Sequence, residues 1–233
     1  MPTTAILLAA GSGHRMQGSV EDKILAPLNG EPIFLHSIRA FLEAEIVDQF
    51  TIVYRDDAQR DALNEALGQL DLQHVSITWT IGGEERQDSV YNALDQQNED
   101  CDYVFIHDCA RPLISPSALH ALDQAVRTDN AAVLAHPVID TIKRTPIDGS
   151  TRQIELEDLE RNRLWAMETP QAFSYTQILK AYKNVRAKGL AITDDTAAAA
   201  TIGLNTTIVP NDRPNPKITT PADLQYAEWL CRQ

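Results

Sequence analysis

Short apolar runs of strand length recur along this chain, each followed by a helical stripe. That alternation restricts the fold more than any other feature. Residues 6–8, 50–54 and 103–106 are apolar runs of buried-strand type. Val75, Ile77, Trp79 and Ile81 alternate with polar residues, the period of a half-buried strand. Residues 131–135 and 206–209 read as two more strands. Between the runs, Phe34, Ile38, Phe41 and Leu42 share one helical face, and Leu63, Ala66, Leu67 and Leu70 form a stripe in a helix over 56–70. Val90, Ala93 and Leu94 follow the loop at 82–89. Ser115-Pro116 reads as an N-cap with proline at the first helical position, and Thr220-Pro221-Ala222-Asp223 opens a last helix in the same way. Thr169-Pro170-Gln171 leads to Ser174, placed to cap a helix that carries Tyr175, Ile178, Leu179, Tyr182 and Val185. Strands and helices alternating at these lengths predict an α/β fold: a mostly parallel sheet with helices on both faces.

Residues 140–160 break the pattern. Thr141-Ile142-Lys143-Arg144 is strand-like, Pro146-Ile147-Asp148-Gly149-Ser150 is a turn, and Ile154-Glu155-Leu156-Glu157 alternates again. The stretch predicts a protruding β-hairpin arm at about 138–162. Two short strands bury too little alone, so the arm is expected to pack on something, a second copy of the chain by preference. No linker divides the chain, so residues 1–233 are expected to form one domain with this arm as an excursion.

The formal charge of −13 argues against a nucleic-acid partner. No apolar run approaches the ~20 residues of a membrane span, and no leader pattern opens the chain. Cys101, Cys109 and Cys231 make no C-x-x-C pair, which suggests reduced thiols and a cytoplasmic protein. An anionic ligand would be repelled by such a surface unless cations gather locally. Arg15, Lys23, Arg111, Arg161 and Lys217 all stand beside loop signals.

On a parallel sheet, ligands sit outside the carboxyl ends of strands. The loops beginning at Gly11, Gly83 and Asp108 would all lie there. Small residues and two glycines follow the first strand in Ala9-Ala10-Gly11-Ser12-Gly13-His14-Arg15-Met16. Loop amides in such a turn can face an anion; the plain alternative is a glycine turn between strand and helix. It is neither a Walker loop nor the dinucleotide fingerprint, which Met16 breaks at the third small position. Asp108 with Arg111 is either a surface ion pair or a strand-end carboxylate beside a phosphate-binding guanidinium. Asp100-Cys101-Asp102 precedes a strand and reads as a solvated entrance. His107 and Asp108 point to opposite faces if the strand runs through them, and no further ligands have zinc spacing.

The motifs taken in order resemble one family. Besides the first loop they are Gly82-Gly83-x-x-Arg86-x-Asp88-Ser89-Val90, His107-Asp108-x-Ala110-Arg111-Pro112, Asp140-Thr141-Ile142-Lys143, Arg161-Asn162-x-Leu164-Trp165, Thr169-Pro170-Gln171, Ile192-Thr193-Asp194-Asp195 and Lys217-Ile218-Thr219. End to end, the set is similar to the 2-C-methyl-D-erythritol 4-phosphate cytidylyltransferases of the non-mevalonate isoprenoid pathway. Ribitol-5-phosphate cytidylyltransferases share the early motifs, and the Arg-Asn-x-Leu-Trp segment favours the former. A non-catalytic nucleotide sensor on the same scaffold is a further alternative, against which the intact Arg15, Lys23 and Lys217 speak.

The resemblance implies a Rossmann-like fold and a Mg²⁺-dependent transfer of CMP from CTP to methylerythritol phosphate, with release of pyrophosphate. It implies that Arg15 and Lys23 stabilise charge at the α-phosphate. Ala9, Ala10, Gly11, Gly13, Gly83 and Ser89 would hold cytosine and ribose, with Glu84 near the base. Asp108, Arg111 and Lys217 would place the reacting phosphates. Thr141 and Arg161 would reach in from the arm of a partner in a homodimer, and Thr169 and Thr193 would line the same site. Several positions depart from the family pattern. Asp22 stands beside Lys23 where proline is usual and could weaken its field, Ile24 replaces a usual glutamine, and Cys109, Arg163 and Pro216 replace alanine, glycine and isoleucine.

Overall fold

A computed structural model describes residues 1–11, 22–72, 74–98, 100–147, 149 and 151–233. Among the described residues, seven strands form the central sheet: β1 (Thr3–Leu8), β4 (Gln49–Tyr54), β5 (Ser76–Ile81), β6 (Tyr103–Asp108), β7 (Ala131–Pro137), β10 (Trp165–Ser174) and β11 (Thr207–Pro210). Their spatial order is β11-β7-β10-β6-β1-β4-β5. Every pairing is parallel except those of β10, which runs antiparallel between β6 and β7. The remaining strands are two-residue pairs, β2 (Pro27–Leu28) with β3 (Glu31–Pro32) and β8 (Lys143–Arg144) with β9 (Glu157–Asp158).

The helices are α1 (Ile33–Ala44), α2 (Asp57–Leu67), α3 (Arg86–Asp95), α4 (Pro116–Asp129), α5 (Tyr175–Ala187), α6 (Asp195–Ala200) and α7 (Pro221–Leu230). They cover both faces, as the strand periodicity requires. Ala5, Leu7, Phe50, Ile52 and Phe105 pack with residues of α1, α2 and α4. Ile6, Val53, Val104 and Ile106 turn the other way, onto α3, α5 and α6. Phe41 of α1 sets its ring edge-on against Phe50, Phe105 and His107, at centroid distances of 6.2, 6.1 and 5.8 Å. Ser115 and Thr220 cap α4 and α7 as their sequences predict, Thr220 in a reciprocal box with Asp223.

Three expectations need correcting. The segment before Ser174 is a ten-residue strand, β10, rather than a connector, and Ser174 makes no side-chain cap. Sequence periodicity hides it because residues 168–173 are buried on both faces, so polar and apolar positions do not alternate. The arm's ladder is shorter and shifted: Lys143 opposes Asp158 and Arg144 opposes Glu157, while 141–142 and 154–156 are unpaired. In β5, Ile77 and Trp79 are partly buried, but Ile81 is 55% exposed because the strand lies at the sheet edge.

Candidate active site

β1 is central, and the chain leaves it first towards β4 and β5, then crosses to β6 on its other side. That switch point opens a crevice at the carboxyl ends of the strands. A cavity of about 550 Å³ lies there, within the range of small-molecule sites. Ala9, Ala10 and Gly11 bound it just past β1, Gly83 and Glu84 from the turn after β5, Ser89 from α3 and Asp108 from β6, with Lys23 and Lys217 from two further connections.

The turn after β5 is pinned. The Gly83 amide donates to Ser89 Oγ at 3.0 Å. A Cβ on Gly83 would stand 2.3 Å from Asp88 Cβ, and one on Gly82 would stand 2.7 Å from Ala10 Cβ. Larger residues would therefore force this loop off both α3 and the first loop. Gly11 differs: a Cβ there meets nothing within 4 Å among the described residues.

At the end of β6, Asp108 Oδ1 accepts from Arg86 Nε at 3.1 Å and Oδ2 from Lys217 Nζ at 2.5 Å. Arg86 then forks onto Asp195, at 3.0 and 2.8 Å. The Asp195 side chain is fully buried and also accepts from Tyr182 OH at 2.5 Å. Burial opposes ionisation of Asp108, but the charges of Arg86 and Lys217 outweigh it and hold the carboxyl well below the usual carboxylate range. Burial likewise opposes the charge on Arg86, and Asp195 with Asp108 more than restores it. Burial raises the Tyr182 hydroxyl, and the Asp195 charge adds to that. Two cations and two carboxylates thus form a closed network that fixes β6, α3 and α6 together.

Residues 3–233 match the family described as IspD, 2-C-methyl-D-erythritol 4-phosphate cytidylyltransferase. The chain belongs to this family. A 2-C-methyl-D-erythritol 4-phosphate cytidylyltransferase of Pelotomaculum thermopropionicum is 39% identical over 98% of this chain and 93% of its own length. One of Synechococcus elongatus is 36% identical over 98% and 95%. The crystal structure of the Francisella tularensis cytidylyltransferase superposes with a TM-score of 0.80 at 29% identity, covering 99% of this chain and all of its own. The 4-diphosphocytidyl-2C-methyl-D-erythritol synthase of Anaerococcus prevotii shares the fold, with a TM-score of 0.86 at 23% identity.

Against the cytidylyltransferase motifs, Ala9, Ala10, Gly11, Lys23, Gly83, Glu84, Ser89, Asp108 and Lys217 meet around the cavity. Gly13 and Arg15 lie outside the described residues. Asp22 leaves Lys23's field less opposed than its proximity suggests: it caps the short turn Lys23–Leu25 through the Ile24 amide and is held by Gln59 at 2.6 Å and Arg55 at 3.2 Å.

Arg111 does not pair with Asp108. Its Nη1 donates to the Asn215 carbonyl at 2.8 Å, and Arg86 and Lys217 take the carboxylate instead. Burial lowers the Arg111 pKa against the pull of Asp108 and Glu168. Thr169 is buried and works from behind, its Oγ1 accepting the Asp108 amide at 3.0 Å. Thr193 is exposed and outside the cavity lining. It is Asp194 that caps α6 and Asp195 that reaches the network. Thr141 and Arg161 are exposed on the arm and do not line the cavity of their own copy. Arg161 Nη1 donates to the Ile139 carbonyl at 3.1 Å. Arg86 and Asp195 are the site residues that spacing alone leaves unassigned. They stand 109 positions apart, and both sit inside quoted motifs, which is the signal that marks them.

Proposed function

We infer that this protein transfers CMP from CTP to 2-C-methyl-D-erythritol 4-phosphate, giving 4-diphosphocytidyl-2-C-methyl-D-erythritol and pyrophosphate. The single observation that carries the reading is the convergence of Lys23, Arg86 and Lys217 on one cavity in a strongly acidic chain, in a member of this family. Two anions must meet in the reaction, so the protein's work is to cancel repulsion and to align. The attacking phosphate is already charged, so no covalent nucleophile is needed.

In this reading the turn at Gly83 and Ser89 and the first loop hold cytosine and ribose, with Glu84 at the base. Arg15 and Lys23 meet charge at the α-phosphate. Asp108 keeps Lys217 aimed, and Lys217 with Arg111 draws in the alcohol phosphate. Among the described residues no three potential metal ligands cluster, and both Asp108 oxygens are engaged. Mg²⁺ takes one or two carboxylates besides phosphate and water; Asp108 lines the cavity and each of its oxygens keeps a second lone pair, so it would hold the cation together with triphosphate oxygens. When bound, the cation supplies neutralising charge on the phosphates.

The chain acts as one domain, and the site is completed by Thr141 and Arg161 from a partner's arm in a homodimer. Exposed Ile139, Ile147 and Leu156 on that arm favour a covered state. Among the described residues no helix is long and apolar enough to cross a membrane. Three free cysteines favour the cytoplasm. Pyrophosphate release with CTP and a panel of alcohol phosphates tests the reading. Turnover with methylerythritol phosphate is expected; turnover with ribitol 5-phosphate alone moves the assignment, and CTP binding without turnover makes the protein a sensor.

A further inference from the structure

Behind the cation cluster lies a buried carboxylate that the reaction above does not use. Glu168 is 2% exposed and stands where the register of β10 with β7 shifts, between Met167 and Gln171. Its Oε2 accepts from Nδ2 of Asn211 and Nδ2 of Asn215, each at 2.9 Å. Its Oε1 meets His136 Nδ1 at 2.6 Å. Asn211 and Asn215 belong to the loop that runs from the end of β11 to Lys217. Asn215 is itself buried and also donates to the Thr169 carbonyl at 3.1 Å. Both of those neighbours are acceptors, which fixes the way its amide points. Two residues on, Lys217 reaches Asp108, and the Ile218 amide closes the loop onto the Ala110 carbonyl at 2.8 Å.

An enclosed carboxylate is tolerated only when its hydrogen bonds are complete. Here two of the three donors come from the one loop that carries Lys217. The same loop offers the Asn215 carbonyl to Arg111. The next residue along β10 does the matching work across the cavity floor, since Thr169 holds the backbone of Asp108. Adjacent side chains on one strand therefore fix both halves of the Lys217–Asp108 pair. We propose that Glu168 is a positioning residue for the transfer, tethering residues 211–217 so that Lys217 and Arg111 face the alcohol phosphate. This rests on the assignment of Lys217 and Arg111 to that phosphate.

The hydrogen-bond pattern separates tethering from plain packing. Glutamine at 168 can put its carbonyl where Oε2 stands and accept from both asparagines. Its amide then faces His136, whose Nδ1 must become an acceptor. Leucine fills the space and accepts nothing. The test is steady-state kinetics at pH 8 on Glu168→Leu, Glu168→Gln and Lys217→Ala, with nitrogen NMR of the His136 ring. Glu168→Leu is expected to lose about tenfold or more in kcat/KM for the alcohol phosphate, with KM for CTP changed by less than about twofold. Glu168→Gln is expected to stay within about threefold of the parent, with the His136 proton moved from Nδ1 to Nε2. A cooperatively melting leucine variant with full activity overturns the proposal. So does a glutamine variant as impaired as the leucine one, or an unchanged His136 tautomer. Should the leucine variant not fold, Asn211→Ala replaces it, with a loss of about threefold expected and full activity overturning the tether. Lys217→Ala with unchanged turnover would instead overturn the site assignment on which the tether depends.

Discussion

The end of β6 and the arm beyond β7 hold their charges in opposite ways. At β6 the ions are enclosed and cross-linked: Arg86 alone joins Asp108 to a fully buried Asp195. On the arm Lys143 pairs with Asp158, and Arg144 with Glu157 at 2.9 Å, with the acidic side chains 87% and 56% exposed. The first arrangement is built by one chain from its own core. The second leaves Ile139 83% exposed and Ile147 bare, beside Arg161, which touches only a local carbonyl among the contacts described. A site assembled from both regions would have one half preorganised within a chain and the other half supplied by docking.

The sharpest way to break this contrast is Arg86→Ala. It strands the fully buried Asp195 and leaves Asp108 with Lys217 alone, and should destabilise the fold by about 3–5 kcal/mol in urea unfolding. A loss below about 1 kcal/mol would mean that the network is no firmer than a surface pair. A second contrast lies in pH. Burial pushes the His107 imidazole down to about 4, so the unfolded chain binds a proton below about 6.5 that the folded chain refuses until about pH 4. Stability should therefore fall by about 2 kcal/mol from pH 7 to pH 5 through this residue. The fall should be absent in His107→Gln; identical slopes in the two proteins would remove His107 from the account.

On the arm, Arg161→Ala should spare folding and lower turnover with the alcohol phosphate by about a hundredfold, with CTP binding changed by less than about twofold. Equal loss of both would deny it a role confined to the second substrate. Full activity in a protein that sediments as a monomer would dissolve the two-copy site. The smallest effect is expected at Lys143→Ala, below about 1 kcal/mol in the melt because its partner is solvated. A larger loss would show that the hairpin is more than a solvated strut.

Much of this was legible in the residues, for reasons that differ by element. The five parallel strands from β1 to β7 announce themselves because each is an apolar run or an alternation bounded by turn residues. β10 does not: Glu168, Thr169 and Gln171 are polar yet buried, each satisfied by side chains or loops distant in sequence. Such satisfaction has no period. The cavity followed from loops at the carboxyl ends of strands, and nine of the named residues meet there. What stayed hidden was who pairs with whom. Asp108 has Arg111 three positions away but takes Arg86 and Lys217, because sheet order rather than sequence distance sets neighbours. In the motif of Thr193, Asp194 caps α6 and Asp195 reaches Arg86, while Thr193 itself is exposed.

The late arrival of β10 has a consequence for biosynthesis. β6 and β7 leave the ribosome first, yet neither bonds the other in the finished sheet, since β10 fills the gap between them. Until residue 174 has emerged, the nascent polypeptide carries two unprotected strand margins facing an empty slot. That interval, which spans the whole excursion of the hairpin, is when chaperone capture or mispairing between neighbouring nascent chains is most to be expected.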